Sequence, residues 1–186
     1  PQSQEKTRII RFSLANGGVA YSSAGSVPGH LLNQFAMDEN GSAFRLATTV
    51  GEVWNTGNSR SKNNVYVLDS SNLEKRLGAL ENIAPGEKIY SVRFLGARAY
   101  MVTFKKIDPF FVLDLSDNTN PRILGELKIP GYSDYLHPYD ENHVIGFGKD
   151  AIDPQESDFG PFRAQRGFDF AWYQGMKIAL FDVTDV

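Results

Sequence analysis

The sequence of 186 residues contains no cysteine. This absence excludes disulfide bonds, thiolate metal sites and cysteine nucleophiles. It leaves the cellular compartment open, because cysteine-free domains occur in both reducing and oxidising surroundings. The chain also lacks any run approaching the roughly 20 apolar residues that cross a bilayer, so membrane insertion is not expected.

An excess of charge of one sign is missing as well. The net charge is −3, and acidic and basic residues are scattered along the chain rather than collected in blocks. Nucleic-acid binding normally requires a basic patch, so no nucleic-acid partner is expected. The sequence has no serine nucleophile elbow, no phosphate-binding glycine loop and no dinucleotide fingerprint, and helix signals are nearly absent.

What the sequence does contain is a repeated pattern of an apolar strand that ends in aspartate and is followed by a turn. The three copies are VYVLDSSN, FFVLDLSDNTNP and IALFDVTDV, with their aspartates at Asp69, Asp114 and Asp182. Asp69 and Asp114 are 45 positions apart, whereas Asp114 and Asp182 are 68 apart. A repeat of roughly 40–50 residues built from short strands is typical of a β-propeller, in which each repeat forms one four-stranded blade.

Aligning the repeats predicts an all-β chain that forms part of a β-propeller with four-stranded antiparallel blades. Strands are indicated by apolar residues at every second position, and turns by clusters of Asp, Asn, Gly and Pro. The alignment predicts half a blade, two whole blades and an incomplete last blade that has no fourth strand, at residues 7–29, 30–86, 87–131 and 132–186.

Two details of the alignment can be tested directly against a structure. In the first whole blade, LLNQFAM at 31–37 is predicted to be one strand, followed by a turn at 38–41. In the last blade, the extra length of the repeat is predicted to form an inserted loop at 149–175, between the second and third strands. Long loops on a rigid scaffold are common places for binding residues.

The chain is too short for a closed propeller, which needs at least four blades. We therefore expect it to be a piece of a longer protein. An unfinished last blade leaves a strand edge with unpaired N–H and C=O groups, and such an edge favours pairing with another chain. The hypothesis that follows is a homo-oligomer in which copies exchange strands across the open blade edges and so close a ring.

Several long phrases carry a family resemblance that extends over nearly the whole chain. IYSVRFLGARAYMVTFKKIDPFFVLDLSD, LGELKIPGYSDYLHPYDENHVIGFGKD and QGMKIALFDVTDV together resemble the bacterial and archaeal secreted β-propeller domain, a family described as distantly related to WD40 repeats. The resemblance implies a secreted or surface-attached protein. It carries no catalytic residues over to this chain.

The inserted loop supplies the candidate ligand-binding residues, because it combines carboxylates, an arginine and aromatic rings. Such a set could stack on a sugar or hold a peptide. Two alternatives stay open: the aromatics pack inward or against another copy, or the carboxylates perform acid–base chemistry as in glycoside hydrolysis. The candidates are Asp153, Glu156, Asp158, Phe162, Arg163, Trp172 and Tyr173.

Two segments raise the question of a metal ion. His137, Asp140 and His143 fall within seven residues and offer ligands that Zn²⁺ accepts, although the alignment also makes this segment an ordinary hairpin turn. The connection 114–121 is rich in the oxygen ligands that Ca²⁺ prefers but lacks the spacing of a calcium loop. An Asx turn at Asp114 is the alternative, and it explains the return of aspartate in each repeat.

Taken together, these features predict a secreted or cell-surface binding scaffold with a protein or carbohydrate ligand. No cofactor is required by this interpretation, with Zn²⁺ or Ca²⁺ as the open metal alternatives. A hydrolase or lyase that uses loop carboxylates is the competing hypothesis from a different class. A third is a purely structural spacer domain without a ligand.

Overall fold

The chain folds into β-strands, joined by turns and one short 3-10 helix. The computed structural model describes residues 5–15, 17–57, 60–104, 108–152 and 172–186. No helix in these ranges is long and apolar enough to cross a membrane.

The N-terminal part forms a two-stranded sheet followed by a larger one. In the first sheet, β1 (Lys6–Ala15) pairs with β2 (Gly18–Pro28). The elements of the second sheet are β3 (His30–Leu31), a 3-10 helix (Gln34–Ala36), β4 (Met37–Asn40), β5 (Ala43–Val50), β6 (Lys62–Asp69) and β7 (Asn72–Ile83). In this sheet β5 lies between β6 on one side and the two short strands β3 and β4 on the other, and β7 pairs with β6.

The C-terminal part forms one four-stranded sheet and one three-stranded sheet, in which strands adjacent in sequence are also adjacent in space. The four-stranded sheet contains β8 (Lys88–Leu95), β9 (Arg98–Phe104), β10 (Asp108–Asp114) and β11 (Arg122–Ile129). The three-stranded sheet contains β12 (Tyr132–Pro138), β13 (His143–Ile152) and β14 (Trp172–Asp182).

These four antiparallel sheets are the half blade, first blade, second blade and last blade of a partial β-propeller. Within the described residues the last blade has three strands, so the outer edge of β14 is unpaired there. β8 packs directly against β12 and against the 3-10 helix, which brings the first strands of the three larger blades together. Convergence of the first strands is the geometry expected around a propeller axis.

The hydrophobic core is divided into three clusters, and each cluster fills the space between two consecutive blades. Val65 and Phe111 belong to the cluster between the first and second blades. Phe110 and Phe181 lie between the second and last blades, with ring centroids 4.2 Å apart. Ile9 and Leu46 lie between the half blade and the first blade. Because burying a large apolar side chain contributes about 1.5–3 kcal/mol, these clusters hold adjacent blades together.

The first strand of the first blade differs from the prediction of one strand at 31–37. The structure divides it into β3 and β4, and between them Asn33 accepts a 2.9 Å hydrogen bond from the N–H of Phe35 and caps the 3-10 helix. Asparagine interrupts strands in this way because its side chain offers the backbone a local partner. The predicted turn at 38–41 is also wrong. Residues 37–40 are strand, and the chain reverses at Gly41 and Ser42, where Gly41 has φ of 59°.

The inserted loop is shorter than the predicted 149–175. β13 continues to Ile152 and β14 already begins at Trp172, so residues 149–152 and 172–175 belong to the sheet. Lys149 and Asp150 look like loop residues in the sequence, but a strand pair needs only matching backbone groups. Gly175 has φ of 145° and lies at the irregular register next to Asp150, which lets the ladder continue.

A half-buried carboxylate beside the second blade makes stability depend on pH. Burial raises the pKa of Glu87 above its ordinary value of 4.5, and nearby Glu126 raises it further, although a hydrogen bond from the Thr103 hydroxyl acts in the opposite direction. The folded state therefore holds this proton at pH values where the unfolded chain has lost it. Stability contributed by the protonated form is lost as pH rises above about 4.5.

We expect Glu87→Gln to remove the loss of stability that accompanies rising pH. The stability of the variant relative to the wild type should therefore increase from about pH 4 to about pH 8, a range that spans the ordinary carboxyl pKa. The measurement is the urea midpoint of unfolding at both pH values, with Glu74→Gln, an exposed carboxylate on β7, as the control for the loss of one charge. An equal shift of the midpoint at both pH values would contradict the prediction.

Candidate functional site

Most of the candidate ligand-binding residues predicted from the inserted loop lie outside the described residues. These are Asp153, Glu156, Asp158, Phe162 and Arg163. Trp172 and Tyr173 are the first two residues of β14, and their backbones pair with Ile152 and Ala151. They therefore lie on a strand of the last blade. The role of the loop in ligand binding stays a prediction.

The three residues predicted for a metal site are only partly brought together. The His143 Nδ1 atom is 2.8 Å from the Asp140 Oδ1 atom, whereas the His137 Nδ1 atom is 3.2 Å from the hydroxyl of Tyr135. Within the ranges that the structure describes, no three His, Asp or Glu side chains are placed to hold a metal ion. The hydrogen bond from the Asn142 N–H, and then the one with His143, lowers the pKa of Asp140.

The repeated aspartates form the Asx turns expected from the sequence. Each carboxylate accepts a hydrogen bond from the N–H two residues later, at distances of 2.9 Å for Asp69, 2.9 Å for Asp114 and 3.0 Å for Asp182. Hydrogen bonds with Ser116 and then the ion pair with Arg122 lower the pKa of Asp114 to about 2. The turn prediction is confirmed, and the turn accounts for the repeated aspartate.

A cleft lies between the second and last blades, and we call it the turn cleft. One wall is the β8–β9 hairpin turn, and the other is the β12–β13 turn, and the volume between them is about 640 Å³. Both walls are short reversals, one of them helped by Gly96 at φ of 55°. The turn cleft is lined by Leu95, Gly96, Ala97, Arg98, Tyr100, Pro138, Tyr139, Asp140, Glu141 and Asn142.

One side-chain hydrogen bond joins the second and last blades at the turn cleft, and backbone hydrogen bonds hold the wall on the last blade. Arg98 of β9 donates to the carbonyl of Val183 in the last blade at 2.6 Å. The N–H of Val183 in turn donates to the carbonyl of Asn142 at 2.8 Å, and the N–H of Tyr139 donates to the carbonyl of His143 at 3.0 Å. The wall on the last blade is thus held by backbone hydrogen bonds, and the Arg98 side chain ties it to the second blade.

The side chains at the opening of the turn cleft combine an aromatic ring with negative charge. Tyr139 is 67% exposed, and the carboxylates of Asp140 and Glu141 follow it directly. The lowered pKa of Asp140 extends the range in which its carboxylate is ionised to more acid pH. The buried ring of Tyr100 forms part of the floor. An exposed tyrosine is able to stack on a planar or apolar group, and the two carboxylates beside it attract a cation.

A second cluster lies where the first strands converge, and we call it the axis cluster. The guanidinium carbon of Arg93 lies 4.1 Å from the ring centroid of Phe35 and 5.1 Å from that of Tyr135. The Arg93 Nε atom donates to the carbonyl of Leu136 at 3.0 Å. Three blades therefore meet where one arginine lies over two aromatic rings, an arrangement that stabilises the centre by cation–π attraction.

The sequence interpretation missed both the turn cleft and the axis cluster. A signal for the turn cleft was present, because Tyr139 follows the strand residues Tyr135 and His137 at every second position and continues the same face into the turn. The axis cluster had no comparable signal. Its three members are far apart in sequence and meet only because blades converge.

Comparison with known proteins gives a family match over the full length. A family model described as "Beta propeller domain" matches residues 1–186. An uncharacterized protein of Methanocaldococcus jannaschii is 53% identical over 182 residues, which is 98% of this chain and 25% of that protein. An uncharacterized protein of Archaeoglobus fulgidus is 48% identical over 182 residues, 98% of this chain and 24% of that protein. The chain thus spans about a quarter of the length of these relatives.

Proposed function

The chain belongs to the family of β-propeller domains, and from this premise we propose that it is a binding scaffold that holds a segment of a partner protein in the turn cleft. The observation that supports the proposal is the cleft itself, a volume of about 640 Å³ between two blades. Openings of this size are within the range of about 300–1,000 Å³ that is usual for ligand sites.

The rigidity of the two walls favours binding over a purely structural role. The Arg98–Val183 hydrogen bond joins the second and last blades at the cleft, so its shape is set before a partner arrives. A preformed site loses little conformational entropy on binding, and this raises affinity.

The side chains around the opening favour a protein segment that carries a basic residue. Asp140 and Glu141 present negative charge beside the exposed ring of Tyr139. Charge complementarity selects the partner and accelerates encounter, while tyrosine is among the residues that contribute most to binding energy at protein interfaces. A carbohydrate that stacks on Tyr139 is the other ligand class, and the experiment below separates the two.

We expect Tyr139→Ala to weaken binding about 30-fold, which corresponds to the roughly 2 kcal/mol of a central aromatic contact. Short random peptides displayed on phage are selected on the wild-type protein, and the affinities of the enriched peptides are then measured on both proteins. A glycan array is run in parallel. Trp54→Ala is the matched control, because Trp54 is another exposed aromatic residue, 72% exposed, on a loop of the first blade.

Two results would contradict this proposal. One is enrichment of peptides that bind wild type and Tyr139→Ala equally well but lose affinity with Trp54→Ala. The other is glycan binding that depends on Tyr139 without any peptide enrichment. The enriched peptides are also expected to be rich in lysine and arginine, since the opening presents Asp140 and Glu141.

We also propose that the scaffold works at the cell surface or outside the cell. The support is the resemblance of its long sequence phrases to secreted propeller domains. Protease treatment of intact cells that express the protein from its own gene is the test. Loss of the protein under conditions that spare a cytoplasmic marker is expected, and survival of both would contradict the location.

A further inference from the structure

Arg93 of the axis cluster is held in one orientation by contacts that use only part of its guanidinium group. Its guanidinium carbon lies 4.1 Å from the ring centroid of Phe35, so the group lies directly over this ring. Its Nε–H donates to the carbonyl of Leu136 at 3.0 Å. An arginine side chain has five N–H donors in a planar fork. The N–H groups on the two Nη atoms therefore remain, and within the described residues they have no hydrogen-bond partner.

The positive charge of Arg93 also has no carboxylate partner in the part of the chain that the structure describes. Partial burial raises the pKa of Asp134, the acid on the adjacent strand β12, and Lys149 lowers it, so the cation that acts on this carboxylate is Lys149. A partly buried charge without a counter-ion is unfavourable, and an incoming anion would relieve that cost. The described arginines that do pair with a carboxylate are Arg11, Arg45, Arg76 and Arg122.

The contacts that orient Arg93 come from the blades on both sides of its own. Phe35 belongs to the 3-10 helix of the first blade, whereas Tyr135 and Leu136 belong to β12 of the last blade. The second blade thus has its two flanking blades in the described structure, and both contribute to the position of the guanidinium. Arg93 remains half-buried in this position, so a ligand is able to reach it.

A further donor lies beside the arginine on the last blade. The guanidinium carbon of Arg93 is 5.1 Å from the ring centroid of Tyr135, and the hydroxyl of Tyr135 is 3.2 Å from the Nδ1 atom of His137. Tyr135 and His137 are two positions apart on β12 and point to the same side of the sheet. When Nδ1 of His137 carries a proton, the histidine donates to the tyrosine oxygen, and the hydroxyl hydrogen is available to a ligand.

We propose that the axis cluster binds a carboxylate group, with the two Nη atoms of Arg93 as the main donors and the hydroxyl of Tyr135 beside them. A planar fork matches the two oxygens of a carboxylate. One arginine also suits a single negative charge, whereas a phosphate group carries about −1.5 to −2 at pH 7. The rings of Phe35 and Tyr135 orient the fork before a ligand arrives, which lowers the entropic cost of binding.

This site is separate from the function proposed for the turn cleft, because none of the three members of the axis cluster lines that cleft. The carboxylate comes from one of two sources, a free organic acid or an acidic side chain of a protein. Both sources present the same group to Arg93, so the experiments use a probe for each.

The first test is an NMR titration of the isotope-labelled protein with benzoate, and benzamide is the uncharged control of the same shape. We expect benzoate to shift the amide signals of Arg93 and Leu136, and benzamide to leave them in place. Arg93→Lys should lower the affinity for benzoate about 10-fold, because lysine keeps the charge but lacks the fork. Arg76→Lys is the matched control, since Arg76 is an exposed arginine outside the cluster, and it should bind benzoate like the wild type.

A second variant tests the tyrosine while its ring stays under Arg93. Tyr135→Phe removes only the hydroxyl, so the amide spectrum of the unbound variant should remain close to that of the wild type. Its affinity for benzoate should fall about 5-fold, as expected for the loss of one hydrogen bond. Tyr21→Phe, at an exposed tyrosine of β2, is the control and should change nothing.

A third comparison identifies the source of the carboxylate. A short capped peptide with one central glutamate, and the same peptide with glutamine, are titrated alongside benzoate. Tighter binding of the glutamate peptide than of benzoate assigns the site to an acidic protein side chain, and the reverse order assigns it to a free organic acid. Three results would overturn the proposal: shifts no larger for the acids than for their amides, equal benzoate affinity in wild type and Arg93→Lys, or tighter binding of inorganic phosphate than of either acid.

Discussion

Replacing Arg45 with methionine is expected to lower the free energy of unfolding by about 3–5 kcal/mol. Arg45 lies on β5 with only 1% of its surface exposed, which is unusual for a charged side chain. Its Nε and Nη2 atoms donate to the two carboxylate oxygens of Asp38, at 2.7 and 2.5 Å. Removing the guanidinium leaves this carboxylate partly buried without its partner, and that accounts for most of the expected loss.

The loss extends beyond the ion pair because Arg45 also joins two blades. Its Nη1 atom donates to the carbonyl of Gly96 in the second blade at 2.6 Å, and its guanidinium carbon lies 5.4 Å from the ring centroid of Phe94. Asn40 is the other side chain that reaches the Gly96 carbonyl, at 2.7 Å. The variant is therefore expected to loosen the junction between the first and second blades.

Chemical denaturation in urea measures this effect, and thermal unfolding should show a midpoint lower by roughly 10 °C, since about 2–4 °C accompany each kcal/mol in a domain of this size. Arg76→Met is the matched control. Arg76 is paired with Glu81 at 3.8 Å, but the two side chains are 55% and 45% exposed, and exposed pairs contribute only about 0–1 kcal/mol. Equal losses for the two variants would show that burial does not determine the effect.

A double variant separates the charge from the packing. Asp38→Leu combined with Arg45→Met removes both partners, so no unpaired carboxylate remains. We expect the double variant to recover part of the stability that Arg45→Met loses. A double variant whose loss equals the sum of the two single losses would contradict a coupled ion pair.

The blades could be predicted from the sequence because the patterns that indicate them are local. Alternating apolar residues predict strands, and the repeated aspartates predict Asx turns, and both depend only on residues close in the chain. The junctions between blades depend instead on residues far apart. Arg45 and Gly96 are an example: nothing in AFRLATTV indicates that its arginine is buried, because the partner carbonyl is in the next repeat.

Strand ends were predicted less well than strands, for two physical reasons. At Asn33 a side-chain hydrogen bond competes with the sheet ladder, and the alternation of apolar residues does not record that competition. At Lys149 and Asp150 the strand continues through charged residues because its backbone is paired with the beginning of β14. The candidate site was harder still, since the turn cleft is formed by two turns from different blades.

A glycine pair that recurs in the fourth strands was a signal in the sequence, in LGAL and LGEL. Gly78 pairs with Val67, and Gly125 pairs with Val112, so the two glycines occupy the same position in consecutive blades. A Cβ atom at Gly78 would lie 2.4 Å from the carbonyl oxygen of Asn118 in the second blade. A backbone atom at that distance has to move, because van der Waals contact requires more than 3 Å.

Gly78→Ala is therefore expected to cost about 3 kcal/mol, the upper part of the usual range for overpacking. The reason is that the turn that contains Asn118 must withdraw from the first blade, and this weakens the contact between blades rather than a single strand. Urea unfolding measures the loss. A replacement by valine should cost more, because its additional methyl groups enter the same space.

Gly125→Ala is the matched control for this prediction. At Gly125 the added Cβ would meet only the side chain of Val186, at 3.7 Å, which is ordinary contact. Both variants replace glycine with alanine at the same register position on the fourth strand of a blade. They differ in the atoms that lie opposite the added Cβ. We expect Gly125→Ala to change stability by less than about 1 kcal/mol. Similar losses at both positions would mean that strand propensity, and not the approach of the neighbouring blade, requires glycine there.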